Sequence, residues 1–287
     1  MVSFNGNWKK KNVGVSMAKF DLGAAWEDSV TLLKSHTALT GAIAAVFLFL
    51  PTLAVSWFGP TPIEPAAGAS LDQVMATFRE SVRQAIPYQL LISLIAAIGG
   101  IGVMRLWLAR TGTSVGDALA FALKMALTVI AVQFLMGLAM VFAGIVLVTP
   151  GFLIGGGVGA LLAVLGMLVF LGALVYFWSR VSVALPAVAD RELYNPLAAL
   201  QESWALTKGN ALRIFLFFFL VFVVIIIASA LLGGIAYAIF GSSEGVGRIL
   251  SGLVEASVAA AGGLVSLAIT TATYRQLATR GTEGIFS

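Results

Sequence analysis

The sequence predicts an all-α fold: a polytopic membrane bundle of six transmembrane helices, accompanied by cytoplasmic interfacial amphipathic helices. Three observations carry that expectation. Only 10% of the 287 residues are charged and 60% are hydrophobic, whereas a soluble domain carries roughly 25% charged residues; too few polar side chains remain to cover a water-soluble globule. Six apolar runs each approach the roughly 20 residues needed to cross about 30 Å of hydrocarbon. Lys and Arg fall almost entirely on one side of the resulting topology.

Taken in order, the chain opens with a polar lead, too long for a cleaved signal peptide, so the first span is expected to persist in the mature protein. Residues 1–19 are read as a cytoplasmic tail and 20–287 as a single integral membrane domain. The spans are expected at 38–58, 88–108, 126–148, 158–178, 212–240 and 249–274. Between the first two, Pro51, Pro60, Pro62 and Pro65 break the helix, and a short amphipathic helix is expected over 71–85. The uncharged TPGF between spans three and four reads as a tight turn. Of the 17 Lys and Arg, only Arg79, Arg83 and Arg248 lie on the far side. The positive-inside rule then places both termini in the cytoplasm.

Polar segments before the odd-numbered spans share a plan. DLGAAW from Asp21, SVGDAL from Ser114 and NPLAAL from Asn195 each open on a residue able to cap a helix N-terminus. Pro196 suits the first helical position, and Asp117 completes a capping box with Ser114. Ala25, Ala118 and Ala199 follow four residues after the caps. Val30, Leu123 and Trp204 follow nine after, continuing an apolar face. Lys34-Ser35-His36 and Lys208-Gly209-Asn210 occupy the same offsets at the exits; the second copy runs on apolar instead. A threefold internal repeat is therefore expected, with units of approximately 20–110, 112–191 and 195–281, all in one orientation. In NPLAALQESWALTKGN, Leu197, Leu200 and Trp204 read as the apolar stripe of an interfacial helix, with Gln201, Glu202, Ser203 and Lys208 facing away.

Chemistry is sparse. Cys is absent and His36 is the single histidine, so thiol catalysis, disulfides and multi-His metal sites are excluded. His36 reads as an interfacial residue. No catalytic, cofactor or metal site is expected. GFLIGGGVGA lacks the Lys of a phosphate loop and follows no strand; Gly155 and Gly159 read instead as close helix packing or a loosened helix start, and Gly99, Gly100, Gly102, Gly233, Gly234, Gly262 and Gly263 as close packing. Glu255 is the one acid well inside a span. It is either an intramembrane ligand or an interfacial residue bonded to Ser251 or Ser257. Arg105, Arg180 and Arg275 end the three returning spans. They either ring a cytoplasmic pocket for anionic lipid phosphates or snorkel as ordinary topology signals. Lys9-Lys10-Lys11 is a short basic patch suited to anionic headgroups.

The stretch RVSVALPAVADRELYNPLAALQESWALTKGNALRIF, with Arg180, Pro186 and Glu192 ahead of the capped helix, resembles bacterial proteins named for the membrane domain of glycerophosphoryl diester phosphodiesterase, and the related YciC-like inner-membrane family. FDLGAAWEDSVTLLKSH resembles the start of the same family. The resemblance implies a roughly six-span membrane protein without established chemistry. Hydrolase activity does not carry over, because the chain has no room for the soluble phosphodiesterase barrel and lacks its carboxylates and histidines. The expected function is that of a non-enzymatic membrane-organising or scaffold protein. The alternative is a transporter or channel for a lipid-like or small amphipathic solute. Expected partners are membrane lipids, anionic ones among them, and proteins or further copies of the chain, but not nucleic acid.

Overall fold

A computed structural model describes residues 19–60, 63, 65, 66, 68–109, 112–240 and 245–283. Lys9-Lys10-Lys11, Pro62 and Arg110 lie outside them, as does the side chain of Arg280. Six helical segments are long and apolar enough to cross a membrane, at 37–58, 71–108, 115–154, 156–191, 211–240 and 245–279. No strand occurs among the described residues. The chain is an all-α multi-pass bundle, with every expected span inside one of these segments.

Helix α1 (Leu22–Lys34) starts at Asp21, whose side chain accepts the Ala24 N–H. It ends before His36, which takes a left-handed φ of 50° and stays exposed. The first span follows as α2 (Thr37–Ala44), a π-helical turn Ala45–Phe49, and α3 (Leu50–Phe58). Pro51, at the start of α3, has no N–H to give the preceding turn, and a π turn just before it absorbs that mismatch. Against this turn packs Gly99 of α4 (Leu71–Leu108); a β-carbon at Gly99 would collide with Phe47. The expected 71–85 helix is not separate. It is the first part of α4, which runs through Pro87 without a break, opened by a capping box between Ser70 and Gln73.

The second copy of the surface helix is likewise the start of a longer one. Helix α5 (Val115–Ile154) begins with the expected Ser114–Asp117 capping box and continues into the third span. TPGF is not a turn, because Pro150 and Gly151 lie within α5. The reversal falls at Gly155 and Gly156, with φ of 67° and 64°, a region only glycine enters cheaply. Gly151 is helical for a packing reason. A β-carbon there would meet the backbone of Ala163 on α6 (Gly156–Val181), and one at Gly166 would meet the Leu147 carbonyl. Close packing also holds at Gly159, but Gly233 and Gly234 face open space.

After α6, two turn residues lead to α7 (Ala184–Arg191), a short helix whose Ala184, Pro186, Ala187, Val188 and Ala189 are all buried. It touches α4, α5, α8 and α10 and plugs the arginine-rich end of the bundle. Helix α8 (Pro196–Leu206) carries the expected Asn195 cap and N-terminal proline, and α9 (Ala211–Phe240) and α10 (Gly245–Glu283) complete the fold.

The buried face of α8 corrects one expectation: Ser203, expected to face away, is buried. Ala199, Ser203 and Thr207 are fully buried, while Leu197 is 55% exposed and Trp204 40%. Small residues face the bundle because a close helix contact has room for nothing larger, and large apolar residues suit the lipid side. The same offsets recur: Ala25, Ala118 and Ala199 are buried four residues after the caps, and Ser29, Ala122 and Ser203 eight after. The surface helices thus rest on the bundle by small faces and turn Trp26, Leu123 and Trp204 outward.

The glycine contacts yield a paired test. Gly166→Ala should lower thermal stability in detergent by about 1–3 kcal/mol, because backbone must move. Gly172→Ala in the same helix, where a β-carbon meets nothing, should leave the midpoint unchanged or slightly raised. Equal effects of the two would contradict the close α5–α6 contact.

Candidate functional site

Two regions concentrate polar groups: the arginine-rich end around α7, and a pocket at the opposite end around Glu255.

At the arginine-rich end, the three expected arginines are each engaged by a different element, and no contact joins any two of them. Arg105 of α4 donates to the Ala189 carbonyl at the end of α7 at 2.9 Å, pairs with Glu192 at 2.7 Å, and stacks over Phe121 of α5. Arg180 of α6 is buried over the Trp204 ring of α8 and donates to Thr207 at 3.1 Å. Arg275 of α10 pairs with Asp28 of α1 at 3.1 Å. Each therefore reaches the surface helix, or helix start, belonging to the following expected unit, the third reaching back to the first.

Helix α1 is seated by more than that ion pair. Asn210 accepts the Phe20 N–H at 2.8 Å, Arg213 donates to the Phe20 carbonyl, and Gln276 both accepts from and donates to the Asp21 backbone. Burial pushes the Asp28 carboxyl above its ordinary range, and Arg275 offsets this only in part. A carboxylate whose folded pKa is raised contributes stability present at acid pH and lost as pH rises through that value. The Arg275–Asp28 pair is therefore one contact among several that seat α1.

At the opposite end, a pocket of about 350 Å³ lies between α3, α4 and α10 and contains Ser56, Tyr88, Gln89, Arg248, Ser251 and Glu255. Glu255 accepts the Ser56 hydroxyl at 2.9 Å. The expected partners are committed elsewhere: Ser251 donates to Gly247 and Ser257 to Leu253. Arg248 donates to the Ser56 and Gly59 carbonyls at 2.9 and 2.8 Å, satisfying the exposed C-terminal end of α3. Trp57 donates from its indole to the Ile249 carbonyl. Sequence reasoning treated Arg248 as a topology signal only. Its spacing of seven before Glu255, two helical turns on one face, was the available clue.

Two further cavities adjoin this pocket along α10. A cleft of about 340 Å³ between α9 and α10 shares Ser251 and Glu255 with it, and reaches Ser229 and Val258. Those two residues also line a groove of about 820 Å³ between α9, α10 and α1, ending at Leu22, Gly23 and Trp26. Among the described residues, Ser229 and Ser257 are the only hydroxyl-bearing side chains lining the groove. Arg105, Arg180 and Arg275 line none of these three cavities.

Compared with family models, curated proteins and solved structures, the chain matches none. Among the described residues no three His, Asp or Glu side chains group as metal ligands.

The partners around α7 and α8 rank the substitutions. Ser203→Ala strands the Val183 N–H and weakens the cap on the Arg180 carbonyl, so it should cost about 1–3 kcal/mol. Arg275→Ala removes a partly exposed ion pair and should cost less than about 1 kcal/mol. Asp28→Asn should leave the neutral-pH melting midpoint unchanged or raised, and its advantage should shrink toward pH 4 as wild-type Asp28 protonates. A large loss at neutral pH would contradict the reading of Asp28.

Proposed function

We propose that the protein is a multi-pass protein of the bacterial inner membrane, with its arginine-rich end and both termini cytoplasmic, and that it holds a membrane lipid in a lateral groove. On this reading it acts by binding and organises the membrane around it, without chemistry on the lipid. One observation carries the proposal: the groove between α1, α9 and α10, about 820 Å³ in volume, is lined almost wholly by apolar side chains and leads into a polar pocket. Binding sites for small molecules combine an apolar body with a few polar groups that fix orientation. Within a bilayer the abundant molecule of that shape is a phospholipid. Trp26 and Trp204, turned outward on the surface helices, support an interfacial placement for α1 and α8. The resemblance of 180–215 to membrane domains of the phosphodiesterase family supports the same cellular setting.

A second reading is passage of a lipid-like solute along the groove. It is favoured by the linings that the three cavities share from one end of α10 toward the other. Vesicles containing the protein would then move a labelled lipid between leaflets; vesicles in which the label stays put favour holding alone.

Filling the groove tests both readings. Ala228 and Ala261 line it from opposite helices, and Ala228→Trp and Ala261→Trp should each reduce the lipid that stays bound in native mass spectrometry, with helical content unchanged. Wild-type retention in both variants would overturn the proposal.

A further inference from the structure

The polar pocket at the far end of the groove has a depth, a charge pattern and a shape that together specify a headgroup. Depth comes first. Glu255 lies twenty residues before Arg275 on the same helix, about 30 Å at the helical rise, which is about the hydrocarbon thickness of a bilayer. With Arg275 at one boundary, Glu255 stands at the other. Trp57, at the end of the first span, and Tyr88, seventeen residues before Arg105 on α4, suit the same level.

The charge pattern is unusual for so apolar a chain. Glu255 and Arg248 line one cavity, yet neither takes part in any of the ion pairs among the described residues. Arg248 is pinned by the Ser56 and Gly59 carbonyls, and Glu255 is held by the Ser56 hydroxyl. One serine thus serves both, fixing the cation through its carbonyl and the anion through its side chain. Seven residues apart on α10, the two backbone positions are separated by about 10 Å along the helix, and both side chains reach Ser56. Among the described residues neither has a charged partner, which leaves both open to an occupant of the pocket.

An occupant that answers both charges is a zwitterion. A lone carboxylate is too poor a ligand set for a calcium or magnesium ion, which needs several oxygens. A quaternary ammonium has no N–H to donate and is normally met by an aromatic cage; among the described residues Tyr88 is the sole aromatic lining this pocket. A primary ammonium donates directly to Glu255, with Gln89 and Ser251 close by as neutral acceptors, and a phosphate on the same headgroup lies toward Arg248. The cleft that shares Glu255 and Ser251 then leads to the apolar groove, where acyl chains belong.

We propose that this pocket recognises the headgroup of an aminophospholipid, with Glu255 as the counter-ion of its ammonium and Arg248 facing its phosphate. The inference rests on the groove's holding a lipid and adds which headgroup that lipid carries.

The test uses the full chain in nanodiscs of phosphatidylcholine, to which phosphatidylethanolamine or its N-acylated form with the same chains is added, and counts retained lipid by native mass spectrometry. Wild type should retain phosphatidylethanolamine roughly tenfold over the N-acylated lipid, which lacks the positive charge. Glu255→Gln should abolish that preference while still retaining lipid; Ala261→Trp should lose lipid of either kind. A wild type that retains both lipids equally overturns the headgroup inference and leaves the groove reading standing. Undiminished retention in Ala261→Trp overturns the groove reading instead. An unchanged preference in Glu255→Gln removes Glu255 from the site. If soluble glycerophosphoethanolamine displaces the lipid at equal concentration, the ligand is a free amine and the lipid assignment fails. Should Glu255→Gln fail to fold, the wild-type comparison decides alone.

Discussion

The arrangement of the arginine-rich end depends on where the backbone of α6 finds its hydrogen bonds when the helix stops inside the protein. A helix end leaves carbonyls without partners, and in an apolar bundle water does not supply them. The chain solves this by bringing α8 alongside. Ser203 donates to the Arg180 carbonyl at 2.9 Å and accepts the Val183 N–H, and Thr207 donates to the same carbonyl at 3.1 Å. That pins the turn from α6 into α7, and α7 is then buried as a plug. Its far end is held in turn, with Arg105 on the Ala189 carbonyl and the Tyr274 hydroxyl on Asp190 at 2.7 Å. NPLAALQESWALTKGN looks polar because its serine and threonine serve as the cap of another helix.

From that cap a ring of contacts follows. Arg180 lies over Trp204, Arg275 reaches Asp28, and Arg105 lies over Phe121. In each case an arginine near the end of a returning span touches the segment that opens the next odd-numbered span. The common burial of Ala25, Ala118 and Ala199 supports reading these segments as equivalent parts of three units. The equivalence is uneven. The first and third segments stop at left-handed residues, His36 and Gly209, whereas the second has none and passes straight into its span.

What was legible in the sequence follows from what each signal measures. Apolar runs report membrane thickness, so the six spans were found, and capping residues act within one turn, so Asp21, Ser114 and Asn195 were read correctly. Ser203 was misread because a polar side chain on a surface helix suggests a face turned to water, whereas here it is buried and caps the end of α6. At a membrane surface the large apolar residues have lipid to face, and Ala199 and Ser203 do the packing. TPGF was misread because Pro and Gly signal turns only on average; Gly151 answers to Ala163 on the neighbouring helix, a contact no local pattern encodes. For the same reason Glu255 was visible as a candidate but its partner was not. Ser56 stands 199 positions away, and only folding brings the two together.

The groove exists because two hairpins of similar composition pack differently. Where α5 meets α6, Gly151, Gly159 and Gly166 allow backbone against backbone, and the contact closes. Where α9 meets α10, Gly233 and Gly234 touch nothing, and the nearest approach at Gly262 is to the side chain of Ile225, 3.2 Å from an added β-carbon. Helix α9 fills much of its length with Phe, Val, Ile and Leu, and its side chains rather than its backbone meet α10 at Gly262. Two helices held apart by side chains, in a solvent of acyl chains, lose no hydrophobic energy by leaving the space to lipid, because lipid is as apolar as they are. The opening between α9 and α10 is therefore stable as a groove without any need to collapse. Its one costly feature is the polar end at Glu255 and Arg248, where charge sits beside an apolar channel. Among the described residues neither of these charges has an oppositely charged partner.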